Sequence, residues 1–146
     1  MATKLDERAK IGAANAALAV DRTLYNALRA VFVEQSYCAP ALTKALKGLN
    51  ITRSHPFVTS AFYGVLDNNV RLEKTIDGLC EKTPDKNSSV VLKIGLYYRL
   101  YADMPPYAAV NRAVELAKRV GAYSGFVNAV LKRSADFVPK FENALY

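Results

Sequence analysis

The sequence predicts an all-α protein, a bundle of about six or seven helices joined by short connections. Apolar residues recur every three or four positions through most of the chain, which is the period of an amphipathic helix. No segment shows the convincing alternation of apolar and polar residues that marks a half-buried strand. Prolines and glycines fall where these helical stretches begin and end, as helix-start and helix-stop residues do.

The amino-terminal third predicts a long helix followed by a short one. Residues 5 to about 33 are rich in Ala and Leu and contain no proline. They therefore form one long helix or two helices joined near Asp21. The apolar positions near helical spacing are Leu18, Val20, Leu24, Leu28 and Val31. A short helix begins after Pro40 and stops at Gly48, and residues 51–54 form a connector.

The pair His55-Pro56 opens a predicted long helix that runs to about residue 82. Proline suits the first helical position because its missing N–H has no partner there. One face of this helix carries a stripe with steps of four and three residues. Its members are Val58, Phe62, Val65, Asn69, Leu72, Ile76 and Leu79. Asn69 is the polar exception, and it either forms a hydrogen bond within the core or lies at the edge of the core.

The next predicted helix, residues 85–102, is the central one. Thr83-Pro84 ends the helix before it, since the residue before a proline avoids helical geometry. Apolar residues surround nearly the whole helix, which indicates burial on all sides. A glycine at position 95, in the helix interior, indicates close approach by another helix. The tyrosines at positions 97, 98 and 101 either pack in the core or stack on nucleic-acid bases.

Two further helices complete the prediction. Pro105-Pro106 begin a helix that ends at Gly121, a residue suited to the left-handed position after a helix. Its predicted buried stripe consists of Val110, Ala113, Val114, Ala117 and Val120. Its predicted solvent-exposed face consists of Asn111, Arg112, Glu115, Lys118 and Arg119. The last main helix follows residues 122–125, and from Asp136 onward the tail is weakly patterned.

Length and charge indicate one basic domain spanning residues 1–146. The formal net charge is +7, and it is unevenly distributed. Residues 1–85 carry 11 basic and 9 acidic side chains, whereas residues 86–133 carry 8 basic and 2 acidic ones. Concentrated positive charge favours polyanions, nucleic acid first and an anionic membrane surface second. A solvated surface with no partner is the alternative.

Nothing in the sequence predicts catalysis, a cofactor or a metal site. Cys38 and Cys80 fit no metal or redox spacing. The only histidine, His55, has no evident carboxylate partner and is best explained as a helix-start residue. No secretory signal and no apolar run of about 18 residues occurs. We therefore expect a cytoplasmic protein that is not an enzyme on its own and does not bind a membrane.

Two blocks of the sequence resemble the NusB family of RNA-binding domains. The first is residues 57–66 followed by Arg71-Leu72. The second runs from residues 91–97 through Pro105-Pro106 and residues 109–111 to residues 115–118 and 125–131. Most of these matches are packing residues, so the resemblance implies a NusB-like helical bundle more strongly than it implies a function.

The resemblance implies two functions. NusB proteins bind the boxA element of nascent ribosomal RNA with the ribosomal protein NusE, in transcription antitermination. The same domain is the amino-terminal part of the ribosomal RNA cytosine-C5 methyltransferases called Sun or Fmu, where it would bind RNA or dock a partner. The length of the chain is similar to that of NusB proteins, whereas the sequence of residues 63–66 and 126–133 is closer to that of the methyltransferase domain. This chain has no glycine-rich cofactor loop and no Pro-Cys nucleophile motif.

The chain departs from the family pattern at two places. In the family, the first helix begins with an arginine-rich segment that contacts RNA. Here that segment contains only Lys4, Arg8 and Lys10, and two acidic residues among them lower its net charge. Arg112 stands where the family usually has an acidic residue after the asparagine of its Ala-Val-Asn motif. The thin amino-terminal cluster moves the predicted RNA contact towards the carboxy-terminal half, and Arg112 adds positive charge to the helix that carries Lys118 and Arg119.

The predicted RNA-binding residues combine the thin amino-terminal cluster with the carboxy-terminal basic run. They are Lys4, Arg8, Lys10, Arg112, Lys118, Arg119, Phe126, Lys132 and Arg133. Cations would contact phosphates, and Phe126 would approach bases. The sequence predicts that Arg112→Glu with Lys118→Glu weakens RNA binding more than Arg8→Glu with Lys10→Glu does.

Two other functions stay open from the sequence. One is a protein-interaction domain that pairs with a NusE-like ribosomal protein or with a methyltransferase domain encoded elsewhere. The other is a stabilising helical domain with no nucleic-acid role. The sequence is compatible with a monomer and with a homodimer, and it does not identify which RNA is bound.

Overall fold

The computed structural model describes the backbone of residues 4–144 and the side chains of Arg8 and residues 11–134. Seven α-helices and no strand occur in this part of the chain, so the predicted all-α class and helix number are confirmed. The helices are α1 (Lys4–Phe32), α2 (Cys38–Lys47), α3 (His55–Asp67), α4 (Asn69–Leu79), α5 (Lys86–Leu100), α6 (Pro106–Val120) and α7 (Ser124–Ala144), with a 3-10 turn at Thr52–Ser54.

The helix boundaries follow the predicted start and stop residues with few exceptions. The carboxylate of Asp85 accepts a hydrogen bond from the backbone N–H of Ser88 at 3.1 Å, and this cap begins α5. Gly121 ends α6 with a φ of 75°, the left-handed geometry that glycine adopts without strain. Helix α2 begins at Cys38, two residues before Pro40, whereas the sequence predicted a start after Pro40. Pro40 is tolerated in the first turn because the N–H that it lacks would have no helical partner there.

The predicted single helix over residues 55–82 is wrong, because it is broken at Asn68. The Asn68 side chain donates to the carbonyl of Gly64 at 2.8 Å, and its φ and ψ of −103° and 12° leave helical geometry. A local side-chain bond of this kind competes with the helical pattern. Asn69 lies just past the break, half-buried at the edge of the core, and donates to Glu73 at 3.2 Å.

Helix α1 is one continuous helix rather than two, and α7 stays helical to Ala144, where the sequence predicted a weakly patterned tail. Among the described helices, none is long and apolar enough to cross a bilayer.

Helix α5 lies at the centre of the bundle, packed against α1, α3, α4, α6 and α7. All its residues from Val90 to Tyr98 are buried, as the apolar surround predicted. A Cβ added at Gly95 would lie 2.8 Å from Leu131 of α7 and 3.1 Å from Ala113 of α6. This confirms the predicted close approach of another helix at Gly95.

The tyrosines of α5 belong to the core. Tyr97 and Tyr98 are buried, and the ring of Tyr97 stacks on that of Tyr101, with centroids 5.7 Å apart. Tyr98 is also 5.8 Å from the ring of Phe57. These contacts favour packing over the base-stacking alternative that the sequence left open.

Candidate nucleic-acid interface

An open groove of about 570 Å³ lies between α6 and α7. Its α6 wall carries Tyr107, Asn111 and Lys118, which lie on one face because they are spaced four and seven residues apart along a helix. Its α7 wall carries Asn128 and Lys132, again one helical turn apart. We call this feature the α6–α7 groove.

The α6–α7 groove combines an aromatic ring, two amides and positive charge. Tyr107 is 73% exposed, in the first turn of α6 directly after the double proline. Lys118 forms a 3.4 Å ion pair with Glu115, and both side chains are about 60% exposed, so the pair is weak. Arg99 at the base of the groove donates to the backbone and hydroxyl oxygens of Ser134 at 3.3 Å.

Arg112 does not face this groove, because its guanidinium is held by a carboxylate on α1. Its Nε and Nη2 donate to the two oxygens of Asp21 at 2.9 and 2.6 Å. Tyr98 donates its hydroxyl to the same carboxylate at 2.5 Å, and the Arg112 guanidinium lies 4.9 Å from the centre of the Tyr98 ring. The Asp21 side chain is 2% exposed. Burial raises the pKa of Asp21, while Arg112 and Tyr98 oppose that rise.

Sequence reasoning missed Asp21, although the pattern contained a signal for it. Asp21 lies three residues before Leu24 and seven before Leu28, both fully buried, and is therefore an acidic residue on the apolar face of α1. A buried carboxylate needs a cation or several donors. Arg112, the basic departure from the family pattern, supplies that cation.

The other predicted RNA-binding residues occupy separate places. Arg119 is exposed and lines a different cavity, beside α1 and α2. Phe126 is half-buried and packs against the core. Arg133 donates to the carbonyl of Leu79 at the end of α4, at 3.0 Å. Of the predicted set, the structure brings Lys118 and Lys132 together in one groove.

The amino-terminal cluster is only partly described. Arg8 is exposed on the first turns of α1. Lys4 and Lys10 lie in the same helix, but their side chains are outside the described residues.

Tyr107, Asn111 and Asn128 are the groove residues that sequence reasoning missed as candidate contacts. Tyr107 is one helical turn before Asn111, which belongs to the predicted solvent-exposed face of α6, and this spacing was the available signal. No spacing rule connects Asn128 to them, since α6 and α7 meet only through the fold.

The side chains that could suggest catalysis have ordinary structural surroundings. His55 donates from Nε2 to the carbonyl of Leu49 at 2.8 Å, at the beginning of α3. Cys38 and Cys80 are free thiols. Within the described residues, no group of three His, Cys, Asp or Glu side chains could hold a metal ion.

Comparisons with known proteins agree with this bundle. The model of the NusB family matches residues 14–136. The chain is 35% identical over 115 residues to the transcription antitermination protein NusB of Bacillus velezensis, covering 72% of this chain and 86% of that protein. It is 40% identical over 83 residues to the NusB of Rubrobacter xylanophilus, covering 50% and 58% of the two chains. It is 30% identical over 102 residues to the NusB of Geotalea daltonii, covering 62% and 67%.

The matched region begins inside α1, includes α2 to α6 and ends within α7, and it therefore covers the lining residues of the α6–α7 groove and the Asp21–Arg112 pair. The resemblance seen in the sequence is confirmed, and the chain belongs to the NusB family.

Proposed function

We propose that this protein is a non-catalytic RNA-binding protein of transcription antitermination, and that the α6–α7 groove holds a single-stranded segment of ribosomal RNA or its nascent transcript. The names of the three relatives support the antitermination role. None of those names includes a methyltransferase, so no observation favours the alternative of a methyltransferase domain. We also propose that the protein acts in the cytoplasm, where it would meet a nascent transcript, with a NusE-like ribosomal protein as the partner that the resemblance implies.

The observation that carries the RNA proposal is the grouping of side chains in the α6–α7 groove. Lys118 and Lys132 line the same groove as the exposed ring of Tyr107, so one strand in the groove can meet both positive charge and an aromatic ring. Asn111 and Asn128 add amide donors and acceptors, the groups that read the edges of unstacked bases. Proteins that bind single-stranded RNA combine these three elements: positive charge, stacking rings and polar groups.

The other predicted contacts have different places in this proposal. Arg112 stabilises the fold and does not contact RNA in this proposal, because its guanidinium is already bound by Asp21. Arg8, with Lys4 and Lys10, stays a predicted second contact at the start of α1. Phe126 packs against the core and does not line the groove, so it has no direct contact with RNA in this proposal.

Replacing Tyr107 with alanine is expected to weaken binding of a boxA-like single-stranded RNA by about 1–3 kcal/mol, or about 5- to 150-fold, because one base loses its stacking ring. Tyr107→Phe keeps the ring and is expected to bind like the original protein. Affinity is measured by fluorescence anisotropy at several salt concentrations, since the strength of phosphate contacts depends on salt.

The control for this prediction is Tyr37→Ala. Tyr37 is 86% exposed and does not line the α6–α7 groove, so its removal tests for a general loss of surface aromatics. Equal affinities for Tyr107→Ala and the original protein would contradict the groove as the base-binding site. RNA binding that is absent at low salt would contradict the proposed function as a whole.

A further inference from the structure

A second polar channel runs between α1 and α2, away from the α6–α7 groove. Two adjoining cavities of about 440 and 460 Å³ share Asn26, Ala45 and Gly48 in their walls. They therefore adjoin along α1, and together we call them the α1–α2 trough.

The trough is lined by small residues of both helices, and it is basic because several long cationic side chains also line it. Ala19 and Ala30 of α1 and Ala41 and Ala45 of α2 are among its lining residues. The cations that line it are Arg22, Arg29, Lys44 and Arg119, against one carboxylate, Glu34.

Most of this positive charge is available to a ligand. Arg29 is engaged, since it forms a 2.7 Å ion pair with Glu34 and a 3.0 Å hydrogen bond to Asn87. Arg22, Lys44 and Arg119 are exposed, and no carboxylate among the described residues is paired with them. Unpaired cations around a concave surface focus a positive potential there.

The trough and the α6–α7 groove meet at the end of α6. Lys118 lines the groove, and the next residue, Arg119, lines the trough, because successive residues on a helix point about 100° apart. Gly121 ends α6 directly after them. An extended polyanion that leaves the groove at Lys118 can therefore enter the trough at Arg119 by passing around the end of one helix.

We propose that the α1–α2 trough binds the sugar–phosphate backbone of the RNA strand whose bases occupy the α6–α7 groove. The inference rests on the proposed function, and it extends the RNA contact to a second surface that binds without regard to sequence. No aromatic residue lines the trough, so bases have no ring to stack on. Phosphate contacts position a strand, and base contacts specify it.

The lining chemistry favours RNA over a protein partner. Protein interfaces are enriched in aromatic and Met side chains at their centres, and the trough has neither. Its larger apolar side chains are two leucines, of which Leu49 is 4% exposed. Asn15 and Asn26 supply further hydrogen-bonding groups along α1, suited to phosphate and ribose oxygens.

The test compares the salt dependence of RNA binding for three double variants, each of which removes two exposed charges. Arg22→Gln with Lys44→Gln alters the trough, and Lys118→Gln with Lys132→Gln alters the groove. Lys74→Gln with Lys82→Gln is the matched control, because these lysines are exposed and line neither feature. Each is titrated with boxA-like RNAs of about 4 and about 16 nucleotides, which span the site sizes of single-strand binding folds.

The trough variant is expected to reduce the slope of log K against log salt by about 1.4 for the long RNA, since each phosphate contact to a single strand contributes about 0.7. It is expected to leave the slope for the short RNA unchanged. The groove variant is expected to reduce both slopes, and the control variant neither. Because the trough contacts no bases, its effect is expected to be equal for a long RNA of scrambled sequence.

Two results would overturn the inference, and they are distinguishable. If the trough variant behaves like the control with the long RNA, the trough does not bind RNA, while the groove proposal stands. If the groove variant also behaves like the control, the proposed function fails with it. Arg119→Gln repeats the trough test from α6, with an expected reduction of about 0.7, and guards against a local effect on α1 or α2.

Discussion

Replacing Arg112 with methionine is expected to destabilise the protein by about 3–5 kcal/mol at pH 7, the range for breaking a buried ion pair from one side. The change leaves the Asp21 carboxylate, 2% exposed, with Tyr98 as its remaining hydrogen-bond donor among the contacts described. Methionine keeps an unbranched side chain over the Tyr98 ring, so the loss is mainly that of charge and hydrogen bonds. Urea denaturation at pH 7 measures the change in the free energy of unfolding.

The deficit of Arg112→Met is expected to shrink as the pH falls. Burial raises the pKa of Asp21 above its ordinary value of 3.8, so the folded state holds this proton more tightly than the unfolded chain. Stability from this group is therefore greatest below about pH 3.8 and falls as the pH rises through the folded pKa. Without Arg112 that pKa rises further, so the variant is expected to lose more stability between pH 5 and pH 7 than the original protein does.

Asp21→Asn is the matched partner in a double-mutant cycle. The amide keeps an acceptor for the Tyr98 hydroxyl and removes the buried charge, so it is expected to restore part of what Arg112→Met loses. We expect a coupling energy of about 2–3 kcal/mol, within the range for contacting residues. A coupling near zero, or a deficit that does not depend on pH, would contradict the Asp21–Arg112 pair as the source of the effect.

This pair changes how the sequence prediction on RNA binding is tested. Arg112→Glu would place a second carboxylate against Asp21, so a loss of RNA binding in Arg112→Glu with Lys118→Glu would follow from unfolding alone. The expectation that Arg112→Glu with Lys118→Glu weakens RNA binding more than Arg8→Glu with Lys10→Glu does stays a prediction. The Lys118→Gln and Lys132→Gln variant tests the α6–α7 groove without disturbing the core, because both lysines are exposed.

The fold was predictable from the sequence because its determinants are local. Apolar spacing, Pro105-Pro106 and Gly121 each act within a few residues of themselves, and they define α6 to within one residue. The break at Asn68 was not predictable from periodicity, since the buried stripe continues across it through Val65 and Leu72. One side-chain bond to the Gly64 carbonyl decides that boundary.

The candidate site was predictable only in part, because it depends on contacts between distant residues. Lys118 and Lys132 were identified from charge, but their grouping with Tyr107 arises when α6 packs on α7. Asp21 and Arg112 are 91 positions apart in sequence, and charge alone could not separate a core arginine from a surface one. Exposure, which distinguishes Tyr107 from the buried Tyr98, is likewise a property of the fold.

Replacing Gly95 with valine is expected to destabilise the protein by about 3 kcal/mol, the upper end of the usual cost of overpacking a core. The Cβ alone would lie 2.8 Å from Leu131 Cδ1 and 3.1 Å from Ala113 Cβ, both too close for ordinary packing. The two methyl groups of valine add to that clash where α5, α6 and α7 meet. The free energy of unfolding from urea denaturation measures the loss.

Glycine's low helix propensity predicts the opposite sign, so a second glycine separates the two effects. Gly12 lies in the interior of α1, and a Cβ added there meets nothing within 4 Å. Gly12→Ala is expected to stabilise the protein by up to about 1 kcal/mol, the propensity difference between the residues. Gly95→Ala gains the same propensity but is expected to destabilise, because the packing cost of about 1–3 kcal/mol exceeds it. Stabilisation by both alanines would mean that α6 and α7 move apart at little cost in free energy. The packing of Leu131 and Ala113 against Gly95 would then be less tight than their distances imply.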